Sequence, residues 1–548
     1  MKNRFVRIEI EFDNRCSPLV NLESEGMVVS EYGDLIHITT QGEMFADTAL
    51  YEKTYYEIAK KSKGLIVIKN ESGIKILNDS FCSIPLYYFK KSGKVFITTE
   101  PYDYPLASTN HIDEAGLWEC ILFGSSLWNR TLFKGLYQFP SASELAVCNE
   151  DHLLSRYWDF NYSEDNSLNN ENTLIEALDD KLTNIFSRLP ETQYLMGISG
   201  GLDSRLSAAY LDKANKAHLV NTFTYCSTKH SLDYQLSQQV CAQFGLAAPS
   251  LHILNENAYR STLDFLPKYT CGQIGIQHAH ICSVLSNHKE IGSYTQLSNY
   301  FSDALFGYEC SGGKSDNISE DTLRRTLNAA THLSPFIRDE IMEDINKIYS
   351  EFNPEANYSS LDEYKYVTER NQKFHMNLAF QQSRFVDTVL PYATYELLEF
   401  MMSVPLHFRN RKHILDLLFT SGVVKKPNMQ DISSKHFISG NEFSSQGLNP
   451  LIKKIDFKLQ NVLSALTAKL TLGRAIFPNK YHTESHVNML HRFSDELEAS
   501  CSRLKDMGVF SSEQYYLFNQ VPIKSAGVSE RFQLISIDHL IQMGRNVQ

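Results

Sequence analysis

Apolar and polar residues alternate along the first quarter of the chain. "FVRIEIEF", "GLIVIKN", "GIKILND", "IPLYYFKK" and "KVFITTE" are short β-branched or aromatic runs parted by Gly, Asn, Asp and Ser, which predicts antiparallel strands. Two stretches, "YEKTYYEIAKKSK" and "IDEAGLWECILFG", space their apolar residues for helices instead. The polar tract "NYSEDNSLNNENT", residues 161–173, reads as a linker whose end caps the helix "LIEALDDKLTNIFSRL". Past it the rhythm becomes strand, glycine turn, helix. "YLMGISG" runs into "LDSRLSAAYLDKA", "LVNTFTY" into "LDYQLSQQVCAQFG", and "PSLHIL" is a third short strand. Such alternation predicts a parallel, doubly wound sheet. From residue 320 onward helical patterns dominate. The expectation is a two-domain α/β chain: a strand-rich domain over 1–160, a second over 174–548, and a helical extension over 445–548.

Composition narrows the chemistry. At 548 residues with 43% hydrophobic and 21% charged residues, the chain is long enough for two or three cores. A net charge of -12 without a long basic run argues against a broad nucleic-acid surface. No apolar run approaches the roughly 18–20 residues that span a bilayer. The opening "MKNRFVRIEIEFDNR" lacks an apolar leader core and reads as a strand of a cytoplasmic protein. The 10 cysteines include no CxxC pair, so neither a zinc knuckle nor a redox pair is indicated. His278 and His280 lack an acidic or thiol partner at ligand spacing and read as structural.

The candidate chemistry begins at "MGISGGLDSR", residues 196–205. A glycine turn leaving a parallel strand and opening a helix aims backbone N–H groups and the helix start at one point, a natural anion site. The GKS/T ending of a Walker A loop is absent, and so is GxGxxG. A tight turn with capping serines is the plainer reading. "SGGLDS" resembles the pyrophosphate loop of the PP-loop ATP pyrophosphatases, which cleave ATP between its α and β phosphates.

Further motifs resemble the asparagine synthetase family. "LSNYFSDALFGYE" (297–309) stands where that family carries SGEGSDELFGGY. "VLPYATYELLEFMMSVPLHFRNRKHIL" resembles its PFLD..L.EF...P...R..K..L segment and "ISSKHF" its R.K.GF segment. "NDSFCSIPLYYF" and "TLFKGLYQFPSASELAV" resemble its D..G..PLYY and TLF.GI..L.PG stretches, so the likeness spans residues 1–445. It implies an αββα fold of the Ntn-hydrolase, glutaminase type ahead of a PP-loop synthetase domain. It further implies that Ser199, Gly200, Gly201 and Ser204 cradle the pyrophosphate of ATP, and that Asp203 and Asp303 hold Mg²⁺. Ile198, Tyr225, Ser298 and Asn299 would line the nucleotide pocket, and Lys435 would contact the activated intermediate. Asp233 opens the helix after the second strand, as a site residue or a simple cap.

The departures from the family pattern matter as much. Glutamine-hydrolysing members carry an N-terminal cysteine as residue 2, and Lys2 stands here. A thiol must lie beside its own free amine to work that way, so glutamine is not the expected nitrogen source. Tyr300 and Ala304 replace glutamates on either side of the magnesium aspartate, and Thr394 replaces an aspartate. β-Lactam synthetase, a relative without the cysteine, has tyrosine at the Tyr300 position, paired with a glutamate that helps deprotonate an amine. Glu369 is the candidate partner here, and a core tyrosine is the alternative. The resemblance thus implies an AMP-forming amide synthetase using ATP and Mg²⁺ to join a small-molecule or peptide carboxylate to an amine or ammonia, with a homodimer as the assembly considered. Ring closure, as in β-lactam synthetase or lasso-peptide cyclases, and glutamine-independent asparagine-type synthesis are variants of that reading. A decayed synthetase kept as an assembly partner is the competing one.

Overall fold

The computed structural model describes residues 2–12, 18–40, 55–70, 73–104, 111–148, 151–288, 291–310, 322–425, 486–519 and 527–545, except 354 and 357, with single positions at 459, 462, 463 and 466. The alternating N-terminal runs form two antiparallel sheets. Strands β1 (Phe5–Phe12), β2 (Pro18–Glu25), β7 (Tyr87–Lys91), β8 (Lys94–Thr98) and β9 (Leu136–Gln138) make the first, ordered β2-β1-β8-β7-β9. Strands β3 (Met27–Tyr32), β4 (Leu35–Thr40), β5 (Leu65–Asn70), β6 (Gly73–Asn78), β10 (Ser143–Cys148) and β11 (Asp151–Arg156) make the second, ordered β11-β10-β6-β5-β4-β3. The period of two sends Val6, Ile8 and Ile10 of β1 inward, onto Ile38, Val67, Ile76 and Leu145 of the facing sheet. Burying such a side chain is worth up to about 1.5–3 kcal/mol, which fixes the register of both sheets. The predicted helices are present as Tyr55–Lys61 and Glu114–Phe123, the latter capped by Asp113 accepting from the Gly116 amide at 2.9 Å.

The third sheet is parallel. Strands β12 (Tyr194–Gly197), β13 (Val220–Cys226), β14 (Ser250–Ile253), β15 (Thr295–Leu297) and β16 (Thr388–Val389) lie in the order β14-β13-β12-β15-β16. The chain leaves β12 toward β13 and β14, then returns to the opposite side of β12 for β15 and β16. Order therefore reverses between β12 and β15, and the loops leaving those two strands flank a crevice at their carboxyl ends, where doubly wound sheets bind ligands.

The polar tract expected as a linker is bound into the fold. The amides of Ser163 and Asp165 donate to the carbonyls of Met402 and Ser403 at 3.0 and 2.8 Å, and Glu164 accepts from the Leu406 amide at 2.6 Å. Asn170 ends it by accepting from the amides of Asn172 and Thr173, capping Glu171–Ser187 as the sequence predicts. Helices follow, including Pro335–Ser350, Tyr395–Ser403 and the C-terminal Val528–Arg545, whose Ser536 hydroxyl accepts from the Ile276 amide at 3.0 Å. Between them Tyr366–Met376 is wound as a π-helix for 11 residues, a rare geometry that recurs at functional sites. No helix among the described residues is long and apolar enough to cross a membrane.

Candidate active site

The loop leaving β12 builds a cradle from its own serines. Ser204 turns its hydroxyl back to the Ser199 carbonyl at 2.9 Å, and the Gly201 amide donates to Ser199 Oγ at 3.1 Å. Gly201 is the N-cap of the helix Leu202–Lys213 and supplies no side-chain acceptor, so no cap quenches the partial positive charge at the helix start. Gly200 is required by space. A Cβ there would sit 2.3 Å from Leu236 Cδ1 on the helix Leu232–Gln243, so any larger residue pushes the loop and helix apart.

The loop leaving β15 faces this cradle across the crevice and carries Asp303 on the one-turn helix Ser302–Leu305. Although 100 positions separate them in sequence, Asp203 and Asp303 converge on one cation. Lys412 Nζ lies 2.7 and 2.8 Å from the two oxygens of Asp203 and 2.5 Å from Asp303. The lysine is only 3% exposed, against 24% for Asp203 and 39% for Asp303. Burial alone would lower the ammonium pKa, but the two carboxylates outweigh it and raise it. Asp203 is raised by desolvation and by Asp303, and Lys412 offsets part of that rise. Hard oxygens that already share one positive group are a fitting donor set for Mg²⁺. Magnesium takes only one or two protein carboxylates when phosphates and waters complete its shell. No group of three or more potential metal ligands exists among the described residues.

Backbone strain marks the same place. Phe301, Arg411 and Lys412 all lie in the left-handed region, with φ of 79°, 46° and 63°, which disfavours a residue with a side chain by about 1–2 kcal/mol. Phe301 stands where the resembled motif has glycine. Its ring is held edge-on against Phe81 of the N-terminal sheets at 5.0 Å. The Arg411 amide donates to the Cys310 carbonyl at 3.0 Å, and Gly307 lets this turn close, since a Cβ there would meet the Arg409 carbonyl at 2.2 Å.

Ile198, Ser199, Gly201, Asp203, Ser204, Tyr225, Asp233, Ser298, Asn299, Tyr300 and Asp303 all line this open cleft, which has a volume of about 250 Å³. Asp233 is not the helix cap. The N-cap of its helix is Ser231, and Asp233 lies buried in the first turn, facing the crevice. The Tyr300–Glu369 pair is not formed. Tyr300 accepts a hydrogen bond from the Gln382 amide at 2.9 Å, whereas Glu369 is an ion pair with Lys373 at 3.1 Å, both buried and neither on the cleft. Glu369 lies on the π-helix, whose wider turn aims His375 into the cleft. Lys435 lies outside the described residues. Lys412 and His375 are the residues the sequence reading missed. The first sits in the "R..K..L" segment, a usable signal, while the second has none, since π-winding leaves no spacing signature in apolar residues.

Residues 191–420 match the family model described as Asparagine synthase. They run from just before β12 into the helix that follows Lys412, so they hold the serine–glycine cradle, both aspartates and the lysine. This segment is similar to an asparagine synthase domain, which supports an ATP-using, amide-forming synthase. No curated protein matches the chain. Among solved structures the chain is similar to the NH3-dependent NAD synthetase from Campylobacter jejuni subsp. jejuni NCTC 11168 in complex with the nitrate ion, with 13% identity over 38% of this chain and 96% of that one and a TM-score of 0.20. That likeness carries no further argument.

Proposed function

We propose that the protein adenylates a carboxylic acid with ATP and transfers the acyl group to an amine or ammonia, releasing AMP and pyrophosphate. The convergence of Asp203 and Asp303 on the single buried ammonium of Lys412, at the mouth of an uncapped helix start, carries this reading. That arrangement offers binding groups for an anion and a cation side by side, as a triphosphate with its metal requires. Asp203 and Asp303 would hold Mg²⁺, which neutralises phosphate charge when bound.

In the first step a carboxylate oxygen of the substrate attacks the α-phosphorus of ATP, and the bond to the bridging oxygen of pyrophosphate breaks. The Ser199–Ser204 cradle binds the departing phosphates, while Ile198 and Tyr225 flank the nucleotide on the β13 side. Lys412, held between the two aspartates beneath the cleft, would offset part of the charge that shifts from the bridging oxygen to the leaving group. Lys435 keeps its expected role at the activated acyl group. In the second step the nitrogen lone pair attacks the acyl carbon, AMP leaves and one proton goes to solvent. Positioning and preorganised charge supply most of the catalysis in such transfers.

The nitrogen donor we propose is not glutamine. Ahead of β1, Lys2 and Arg4 are both paired to Asp387, at 2.9 and 2.7 Å, where a glutaminase would need a thiol. Asp203→Asn tests the core of the proposal. With ATP, Mg²⁺ and a panel of carboxylic acids, the wild-type protein should release pyrophosphate and the variant should lose at least about a hundredfold, as for loss of a preorganised charge partner. A folded variant that keeps wild-type pyrophosphate release would refute it.

A further inference from the structure

The cleft has two unlike ends. Phosphate-directed groups gather between β12 and β15, and the β13 side carries Asp233. On the β15 side, beyond the polar Gln296, Ser298, Asn299 and Ser302 and the Asp303 carboxylate, the lining includes the rings of Tyr300, Phe301 and His375, none of them a charged residue. Two polar atoms of this wall are already engaged. The Tyr300 hydroxyl accepts from the Gln382 side-chain amide, and His375 Nδ1 lies 3.2 Å from Asn371 Oδ1. Two ring systems are left to meet a ligand. Tyr300 and His375 stack at 5.7 Å with 19° between planes, and behind them His375 packs edge-on against Tyr366 and Phe374 at 5.9 and 5.0 Å.

His375 is neutral in this setting. Burial and the nearby Arg370 push its imidazole down to about 4, against a weaker opposing pull from Asp303. Arg370 itself lies over the Phe374 ring at 4.8 Å and does not line the cleft. Beyond Asp303, the ammonium and second carboxylate of an amino-acid substrate would meet no charged side chain among the described residues that line this wall. Leaving a desolvated charge unpaired is costly, whereas a flat apolar ring gains from stacking.

Resting on the adenylation reading above, we infer that the acyl half of this cleft takes an uncharged aromatic carboxylic acid, its ring against Tyr300 and His375 and its carboxylate toward the α-phosphate of ATP. ATP–pyrophosphate exchange by the full chain tests this, with benzoate, phenylacetate and 4-hydroxyphenylacetate set against aspartate and glutamate. At least one aryl acid should stimulate exchange tenfold or more above both amino acids. Exchange driven by aspartate or glutamate but by none of the aryl acids would overturn the inference while leaving adenylation intact. Silence with all five acids, with ATP binding shown by calorimetry, would count against both. Tyr300→Glu supplies a second reading. It should lower exchange with the preferred aryl acid at least tenfold while ATP affinity stays within about twofold, and an unchanged aryl-acid rate in that variant would overturn the inference. Should Tyr300→Glu not fold, His375→Glu carries the same expectation from the other ring of the stack.

Discussion

Lys412→Met isolates the group that holds the two carboxylates together. The methionine keeps most of the stem volume and removes the charge. In the wild type one ammonium, 3% exposed, satisfies Asp203 and Asp303 at 2.5–2.8 Å. Breaking a fully buried ion pair costs about 3–5 kcal/mol, but Asp303 is 39% exposed and Asp203 24%. Solvent screens much of the penalty, which brings the expected loss to about 1–3 kcal/mol. The sign with pH is fixed by the carboxylates. Lys412, with a raised pKa, stays charged throughout the acidic and neutral range. Asp203 is already raised by desolvation and would rise further without the lysine that now lowers it. Below the carboxylate range both aspartates are protonated and the lysine has nothing to stabilise. Above it they are charged, and the variant keeps two anions with no cation.

Thermal melts of wild type and variant should therefore draw together at pH 3, below the ordinary aspartate range, and separate by a few degrees at pH 7.5. Added Mg²⁺ should stabilise the variant more than the wild type, because in the wild type the ion must first displace the lysine. A gap of equal size at both pH values would refute the electrostatic account. So would a Mg²⁺ effect no larger in the variant than in the wild type.

Other expectations follow from particular contacts. Gly200→Ala should weaken ATP binding at least tenfold, checked by calorimetry, because its Cβ would lie 2.3 Å from Leu236 Cδ1 and force the cradle open. Phe301→Gly relieves a left-handed backbone worth about 1–2 kcal/mol but removes the edge-on contact with Phe81, and loss of a buried Phe side chain costs about 3–5 kcal/mol, so urea denaturation should show net destabilisation. With glutamine, ATP and Mg²⁺, the protein should release no glutamate above a boiled control, whereas ammonia or an amine should sustain product formation.

The parts legible in the sequence are those set by local pattern. Alternation along "FVRIEIEF" specified β1, and the strand–glycine–helix order specified β12, the cradle and the parallel sheet. The serines and Gly200 were readable because a tight strand-to-helix turn has few chemical solutions. β15 and β16, with three and two residues, are too short to leave a periodic signal, yet they place Asp303. The polar tract at 161–173 looked like a tether because its composition is that of loops. Its order comes from backbone bonds to Met402 and Ser403, and no composition encodes those. Glu369 looked available as a partner for Tyr300 because sequence distance says nothing about side-chain direction. Its true partner, Lys373, lies four positions along the π-helix.

The N-terminal sheets acquire a role from the same geometry. Three side-chain-bearing residues around the carboxylate pair sit in left-handed backbone, and such strain persists only where neighbours over-determine it. For Arg411 and Lys412 those neighbours are the Cys310 carbonyl and the two aspartates. For Phe301 the neighbour is Phe81, in the turn between β6 and β7, and that turn is itself fixed from within. Asp79 there accepts from the amides of Gly64, Phe81 and Ser83, and its burial raises its carboxyl to about 6 despite those donors. A second tie runs beside it, where Ser141 donates its amide to Gln372 on the π-helix at 2.9 Å and Lys373 donates to the Ser126 carbonyl at 2.7 Å. The loop bearing Asp303 and the helix bearing His375 are thus both anchored to the N-terminal unit as well as to the parallel sheet. Removing the antiparallel sheets would, on this argument, free both the loop bearing Asp303 and the helix bearing His375 at once.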